Sequence, residues 1–120
     1  MDIRALFKNA KDAKKFKSGR TIFSEGIPGD VMYVVLDGEL EVRVGGKLIE
    51  VAKPGDVVGE MALIDTKARS ATVVAKSDCR LVPINEKRFL VLVHERPIFA
   101  LLVMRILAER LRRMIADRTG

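Results

Sequence analysis

Cysteine, histidine, tryptophan and long apolar runs are scarce in this 120-residue sequence, which has one cysteine, one histidine and no tryptophan. Cys79 has no partner for an internal disulfide and stands outside any CxxC or Cys/His spacing, so neither a disulfide framework nor a zinc site is encoded. Its expected place is the core, as a small apolar residue in a reducing compartment. His94, beside Glu95, lacks a second histidine or cysteine at ligand spacing and reads as a solvated residue at a helix end, so no metal site is expected. Without a nucleophile elbow or paired carboxylates in an acid/base arrangement, catalysis has little support, and metal-assisted hydrolysis lacks its ligands. The longest apolar run, near Ile98 to Met104, is far too short to span a bilayer, and no basic leader with an apolar core opens the chain. A cytoplasmic protein that is not an enzyme is expected.

What the sequence does contain is charge. Lys plus Arg number 22 against 16 Asp plus Glu, a net +6. Such a surface attracts phosphate-bearing partners in general, without separating a nucleotide from a nucleic acid or an acidic membrane. With 48% hydrophobic residues the chain can build one modest core, and no repeat, low-complexity stretch or linker divides it. The expectation is one domain over residues 1–120.

Along the chain, Ile3, Leu6, Phe7, Ala10 and Ala13 recur at helical spacing with lysines between them, which predicts a short amphipathic helix over about residues 2–16. From Gly19 onwards glycines punctuate short runs rich in Val and Ile, the pattern of strands joined by tight turns. Val31 to Leu36 reads as a continuous apolar strand. Asp37-Gly38 is a hairpin signal leading into Glu39 to Val44, and Gly45-Gly46 a second. Leu48 to Val51, Val57-Val58, Ala71 to Val74 and Cys79 to Ile84 complete an all-β unit over about residues 19–84 with the spacing of a sandwich or barrel. Tyr33, inside an apolar run, is expected in the core. Asn85 is a good N-cap for a helix to about Val93, and Pro97 suits the first turn of another, so two helices occupy about residues 86–118.

The segment from Gly59 to Val73 carries the chemistry. Gly59 lets backbone approach a ligand closely, and Met61 to Ile64 can form one or two helical turns whose free N–H groups receive an anion. Arg69 offers a planar fork suited to phosphate, and Ser70 and Ala71 add a hydroxyl and backbone N–H groups. Glu60 would repel an anion unless it accepts hydrogen bonds from sugar hydroxyls nearby, and a hydroxyl acceptor beside an anion cradle is what a ribose phosphate needs. A plain ion pair between Glu60 and Arg69 would account for the same two residues.

Read as Gly59-Glu60-Met61-Ala62-Leu63 followed by Arg69-Ser70-Ala71-Thr72-Val73, the segment resembles the phosphate-binding cassette of the cyclic-nucleotide-binding domain family, of the Crp and protein kinase A regulatory subunit type. Gly19, Ile22, Phe23, Gly26, Gly29, Asp30, Met32, Tyr33 and Gly38 are similar to that family's opening strands, so the likeness covers about Gly19 to Arg113. It implies an eight-stranded β jelly roll flanked by helices, with cAMP or cGMP as ligand and no further cofactor. It also implies that Glu60 takes the ribose 2′-hydroxyl and Arg69 the exocyclic phosphate oxygens, while Gly59, Met61, Ala62, Ser70 and Ala71 complete the site. Ser70 leaves both nucleotides open. Ala68 departs from the family, where proline is common before the arginine. Gly19, Gly26, Gly29 and Gly38 need do no more than turn the chain.

In the family, binding moves the helices after the roll, which act on an attached effector. Here Gly120 leaves no room for a helix-turn-helix, so no DNA-binding domain is expected in this chain, and the effector is unknown. The stripe Ile98, Leu101, Leu102, Ile106, Leu107, Leu111, Met114 and Ile115 fits a homodimer seam, as in related bacterial sensors, or a core-facing helix. Arg105, Arg110, Arg112, Arg113 and Arg118 read as a solvated face suited to the helix dipole. The competing reading is a degenerate jelly roll that holds a protein partner without cyclic nucleotide. Nucleic-acid binding is weakest, for want of a recognition motif or aromatic platform.

Overall fold

The computed structural model describes residues 2–65 and 68–119. Eight strands form two four-stranded antiparallel sheets: β1 (Lys14–Phe16), β2 (Thr21–Phe23), β3 (Val31–Asp37), β4 (Leu40–Val44), β5 (Lys47–Ala52), β6 (Val57–Val58), β7 (Thr72–Ala75) and β8 (Cys79–Asn85). One sheet runs in the order β1-β8-β3-β6 and the other β2-β7-β4-β5. The chain therefore passes repeatedly between sheets, with early strands pairing late ones: Lys14 opposite Leu81, and Thr21 opposite Val74. This is the jelly roll the sequence implied. Helix α1 (Met61–Ile64) follows β6, and α2 (Glu86–Glu95) and α3 (Ile98–Thr119) follow β8. Among the described residues no helix is long and apolar enough to cross a membrane.

Apart from Asp37, Arg80 and Asn85, β3 and β8 are apolar because both their faces are covered. Met32, Val34, Val82 and Ile84 point to the helices, where they join Ile3, Phe7, Phe99, Leu102 and Val103. Val35, Leu81 and Cys79 point into the roll against Leu40, Ala52 and Val73. Cys79 is buried, and Tyr33 packs on this inner cluster between Phe16 and Phe23. Phe99, fully buried, holds α3 to the outer face through edge-on contacts with Phe7 and Phe89 at 6.1 and 5.3 Å, each worth about 0.5–1.5 kcal/mol beyond its area burial.

Two expectations need correction. The helix over residues 2–16 is only a 3-10 turn, Ile3–Phe7, capped by Asp2, whose carboxylate accepts from the backbone N–H of Arg4 at 2.8 Å. Lys14–Phe16 is strand β1 instead. Pairing along the edge of β8 satisfies its backbone and packs Phe16 against Tyr33, a tertiary gain that outweighs a weak local helical pattern. Asp37-Gly38 is also no hairpin, because β3 and β4 lie in different sheets and this turn carries the chain across the edge of the sandwich. Gly38 has φ +82°, and a Cβ there would press on the Asp78 carbonyl and within 2.6 Å of the Cys79 Cβ. Close packing of two corners, rather than strand pairing, demands the glycine. Gly45-Gly46 does close a hairpin, between β4 and β5.

Candidate functional site

β6 ends at Val58, and Gly59 and Glu60 then turn the chain into α1, so the carboxylate of Glu60 is delivered to the inner end of the roll. Arg69 arrives on the segment leading into β7 and is fixed there by its backbone: its N–H donates to the Ile27 carbonyl at 3.0 Å, and its carbonyl accepts from Gly26 at 2.9 Å. Two bonds to the loop between β2 and β3 thus place the side chain. Its guanidinium lies 4.1 Å from the centre of the Phe23 ring, and Nη1 donates to the Gly59 carbonyl at 3.1 Å. Burial lowers the pKa of Arg69, opposed by the charges of Tyr33, Asp30 and Glu60, and an arginine stays protonated at neutral pH in any case.

Glu60 and Arg69, at 7% and 8% exposure, are the two buried charged residues among those described. They face one cavity of about 740 Å³, and Gly59, Met61, Ala62, Ser70 and Ala71 line it with them. All seven residues singled out in the sequence therefore meet in one place. Thr66 and Lys67, inside the same segment, lie outside the described residues. Val42, Val44 and Ile49 of the second sheet give it an apolar wall, and Arg110, Arg113, Met114 and Asp117 of α3 line it as well. Such a chamber combines charged donors and an acceptor with an apolar wall, as an amphiphilic ligand of moderate size requires.

The ion pair of Glu60 is not made with Arg69. Oε1 of Glu60 accepts from Nη1 of Arg110 at 2.9 Å, and Nη2 of Arg110 donates to the Val57 carbonyl at 2.8 Å. Nε of Arg110 lies 3.1 Å from Glu50, out of line for a hydrogen bond and otherwise buried without an acceptor, and Asp56 stands 4.0 Å from Nη2. Arg110 is thus no member of a solvated face: its side chain is 17% exposed. The signal was in the helical period, since Phe99, Val103, Ile106 and Arg110 fall on one stripe of α3, and a lone arginine continuing a core stripe calls for acidic partners beneath it. Two more residues, named in the sequence only as part of the opening strands, have a role at the site that the sequence reading did not assign. Phe23 floors the guanidinium of Arg69, and Gly29 lies against it, so that a Cβ at Gly29 would collide with Nε and come within 2.7 Å of Nη2. His94 is exposed near the end of α2, as expected.

The profile of the cyclic nucleotide-binding domain family matches residues 13–96. A cAMP-dependent protein kinase regulatory subunit of Aspergillus niger is 39% identical over 88 residues, covering 72% of this chain and 21% of the subunit. A cGMP-dependent protein kinase of Toxoplasma gondii is 41% identical over 68 residues, covering 57% of this chain and 7% of the kinase. Among solved structures, the catabolite activator protein of Thermus thermophilus superposes with a TM-score of 0.78 at 28% identity, over 95% of this chain and 61% of that one. The chain spans about a fifth of the length of the regulatory subunit it matches. With the cassette assembled on a jelly roll and most of the chain inside the family profile, this chain belongs to the cyclic nucleotide-binding domain family.

Proposed function

We propose that this chain binds cAMP or cGMP in the cavity between α1, β7 and α3, without transforming it, and serves as a sensor whose α3 responds to occupancy. The observation that carries the reading is the burial of one carboxylate and one guanidinium beside the same cavity, which also has an apolar wall. Burying a charge is unfavourable unless it is compensated: Glu60 has Arg110 for this, whereas Arg69 rests on the Phe23 ring and donates to the Gly59 carbonyl, and a cyclic phosphate supplies its counter-charge. Arg69 takes the exocyclic phosphate oxygens and Glu60 the ribose 2′-hydroxyl, while Met61, Ala62, Ser70 and Ala71 complete the cradle. The purine lies against Val42, Val44 and Ile49. Relatives named for cAMP and for cGMP both support this class of ligand and leave the choice between them to measurement.

Self-association belongs to the same proposal. Leu101, Met104 and Leu111 stand exposed at 39%, 58% and 57% on one side of α3, with Ala108 between them. That is the three-and-four spacing of a seam between two helices.

Titration calorimetry with cAMP and with cGMP, on the wild type and on Arg69→Ala at the same salt, tests the site. Saturable binding to the wild type is expected, weaker in the variant by at least about 2 kcal/mol, roughly thirtyfold, for a lost charge-assisted phosphate contact. Equal affinity in the variant would remove the site. No binding of either nucleotide would move the reading to a jelly roll that holds a protein partner.

A further inference from the structure

The chain's positive charge is concentrated in one stretch that has no part in the cavity. Lys8, Lys11, Lys14, Lys15, Lys17 and Arg20 fall within residues 8–20 against one acid, Asp12, a net +5 of the chain's +6. All six are exposed, and none of their side chains has an ion-pair or hydrogen-bond partner among the described residues. The neighbouring acids are engaged elsewhere: Asp12 with Arg88, Asp37 with Arg80, and Asp78 with the backbone N–H of Ser18 at 2.9 Å. None of the six cations lines the cavity of Glu60 and Arg69. In the middle of the stretch lies β1, the end strand of its sheet, paired with β8 along one side and, among the described residues, with no strand along the other. Phe16 packs on the inner cluster and Ala13 on the outer one. The alternation of a strand therefore puts Lys14 on the inner side of this edge and Lys15 on the outer side.

We infer that the open edge of β1 is a docking surface for an acidic, extended segment of a partner protein, which joins the sheet as a further strand beside β1 with carboxylates opposite Lys14 and Lys15. Another extended chain meets both the N–H and the C=O groups of an open edge. The phosphate oxygens of a lipid or a nucleic acid accept from the N–H groups but bring no donor for the carbonyls. A membrane, moreover, is a plane and engages cations on one face, whereas Lys14 and Lys15 stand on opposite faces. The lysines decide which chains are admitted. They repel a second basic edge, including that of another copy of this chain, because like charges directly opposite one another are unfavourable. The same side chains favour a strand that carries carboxylates, so one feature excludes self-pairing and selects an acidic partner. With only three residues in β1 the contact is weak and reversible, and the surrounding charge raises the rate of encounter. The inference stands whether or not the cavity takes a nucleotide, since the two surfaces share no residue.

The test is fluorescence anisotropy on the full chain with two labelled peptides of equal length and charge, one of glutamate and valine in alternating pairs, the other with proline in place of each valine. The first is expected to bind saturably at physiological ionic strength, and at least about threefold more tightly than the second, which cannot pair as a strand. Lys14→Glu combined with Lys15→Glu should weaken the first peptide about tenfold or more while the thermal melt is retained. Hydrogen exchange on the wild type needs no variant to fold: the glutamate-valine peptide should slow the amides of residues 13–17 and the proline peptide should not. Equal binding or equal protection by the two peptides, or binding indifferent to Lys14 and Lys15, overturns the proposal. Binding of neither peptide leaves the lysines as protection of the edge alone and overturns it too. Vesicles containing phosphatidylserine and a duplex DNA represent the other occupants. Binding of either through Lys14 and Lys15, with the glutamate-valine peptide failing, would assign the patch to phosphates instead.

Discussion

Gly26 and Gly29 sit three residues apart in the loop between β2 and β3 and differ in what surrounds them. A Cβ at Gly26 would meet nothing within 4 Å, and this glycine serves the turn through its φ of +83°. Gly29 has no unusual φ but lies against the guanidinium of Arg69. Gly29→Ala should therefore fold normally, because the atoms it strikes belong to the far end of a flexible side chain. It should nevertheless weaken cyclic-nucleotide binding about tenfold or more, as the guanidinium is displaced from the Phe23 ring and the Gly59 carbonyl. Calorimetry beside a thermal melt checks this, and a loss of stability without a loss of affinity would contradict it. At this scale the site was legible where its residues are neighbours in sequence, Gly59 to Ala62 and Arg69 to Ala71. Phe23, Gly29 and Arg110 come from other elements, and their contributions depend on a three-dimensional closeness that no local pattern expresses.

Among the elements, helix α2 shows how far local chemistry reaches. Asn85 caps it, its side-chain oxygen accepting from the backbone N–H of Arg88 at 2.8 Å, as the sequence indicated. Asn85→Ala should cost about 1 kcal/mol, a few degrees of melting temperature, with nucleotide affinity unchanged because the cap lies outside the cavity. A melt within one degree of the wild type would show the cap to be idle. Strands β3, β4, β5 and β8 were legible for a comparable reason: apolar residues on two covered faces, or alternating on one, are a property of the chain itself. β1 was not legible. Three residues, Lys14, Lys15 and Phe16, carry too little pattern to outweigh a helical reading, and their strand exists because β8 offers them an edge. The Asp37-Gly38 turn misleads for a related reason, since a hairpin turn and a sheet-to-sheet corner ask for the same residues, and only the pairing of β3 with β8 and of β4 with β7 tells them apart.

For the whole molecule, the apolar stripe of α3 resolves into two faces that the sequence had run together. Phe99, Leu102 and Val103 face the roll, while Leu101, Met104 and Leu111 face away from it. If a second copy covers the outer face, light scattering should report a dimer, and Met104→Glu should shift it to monomer while leaving the fold intact, a like-charge pair at the seam being unfavourable. A monomer in the wild type at tens of micromolar would leave that face to another partner. The arrangement of strands has a different kind of consequence, one in time. β1 waits for β8 and β2 for β7, so neither sheet can close until almost the whole roll has been synthesised. Until then the apolar run Val31–Leu36 has only the two residues of β6 to pair with and lacks β8 on its other side, leaving the nascent chain exposed to misassociation during a slow, high-contact-order search. The cassette lies between β6 and β7, and its buried charged residues, Glu60 and Arg69, come together only when that search ends. The candidate site is thus something that the chain acquires late and all at once.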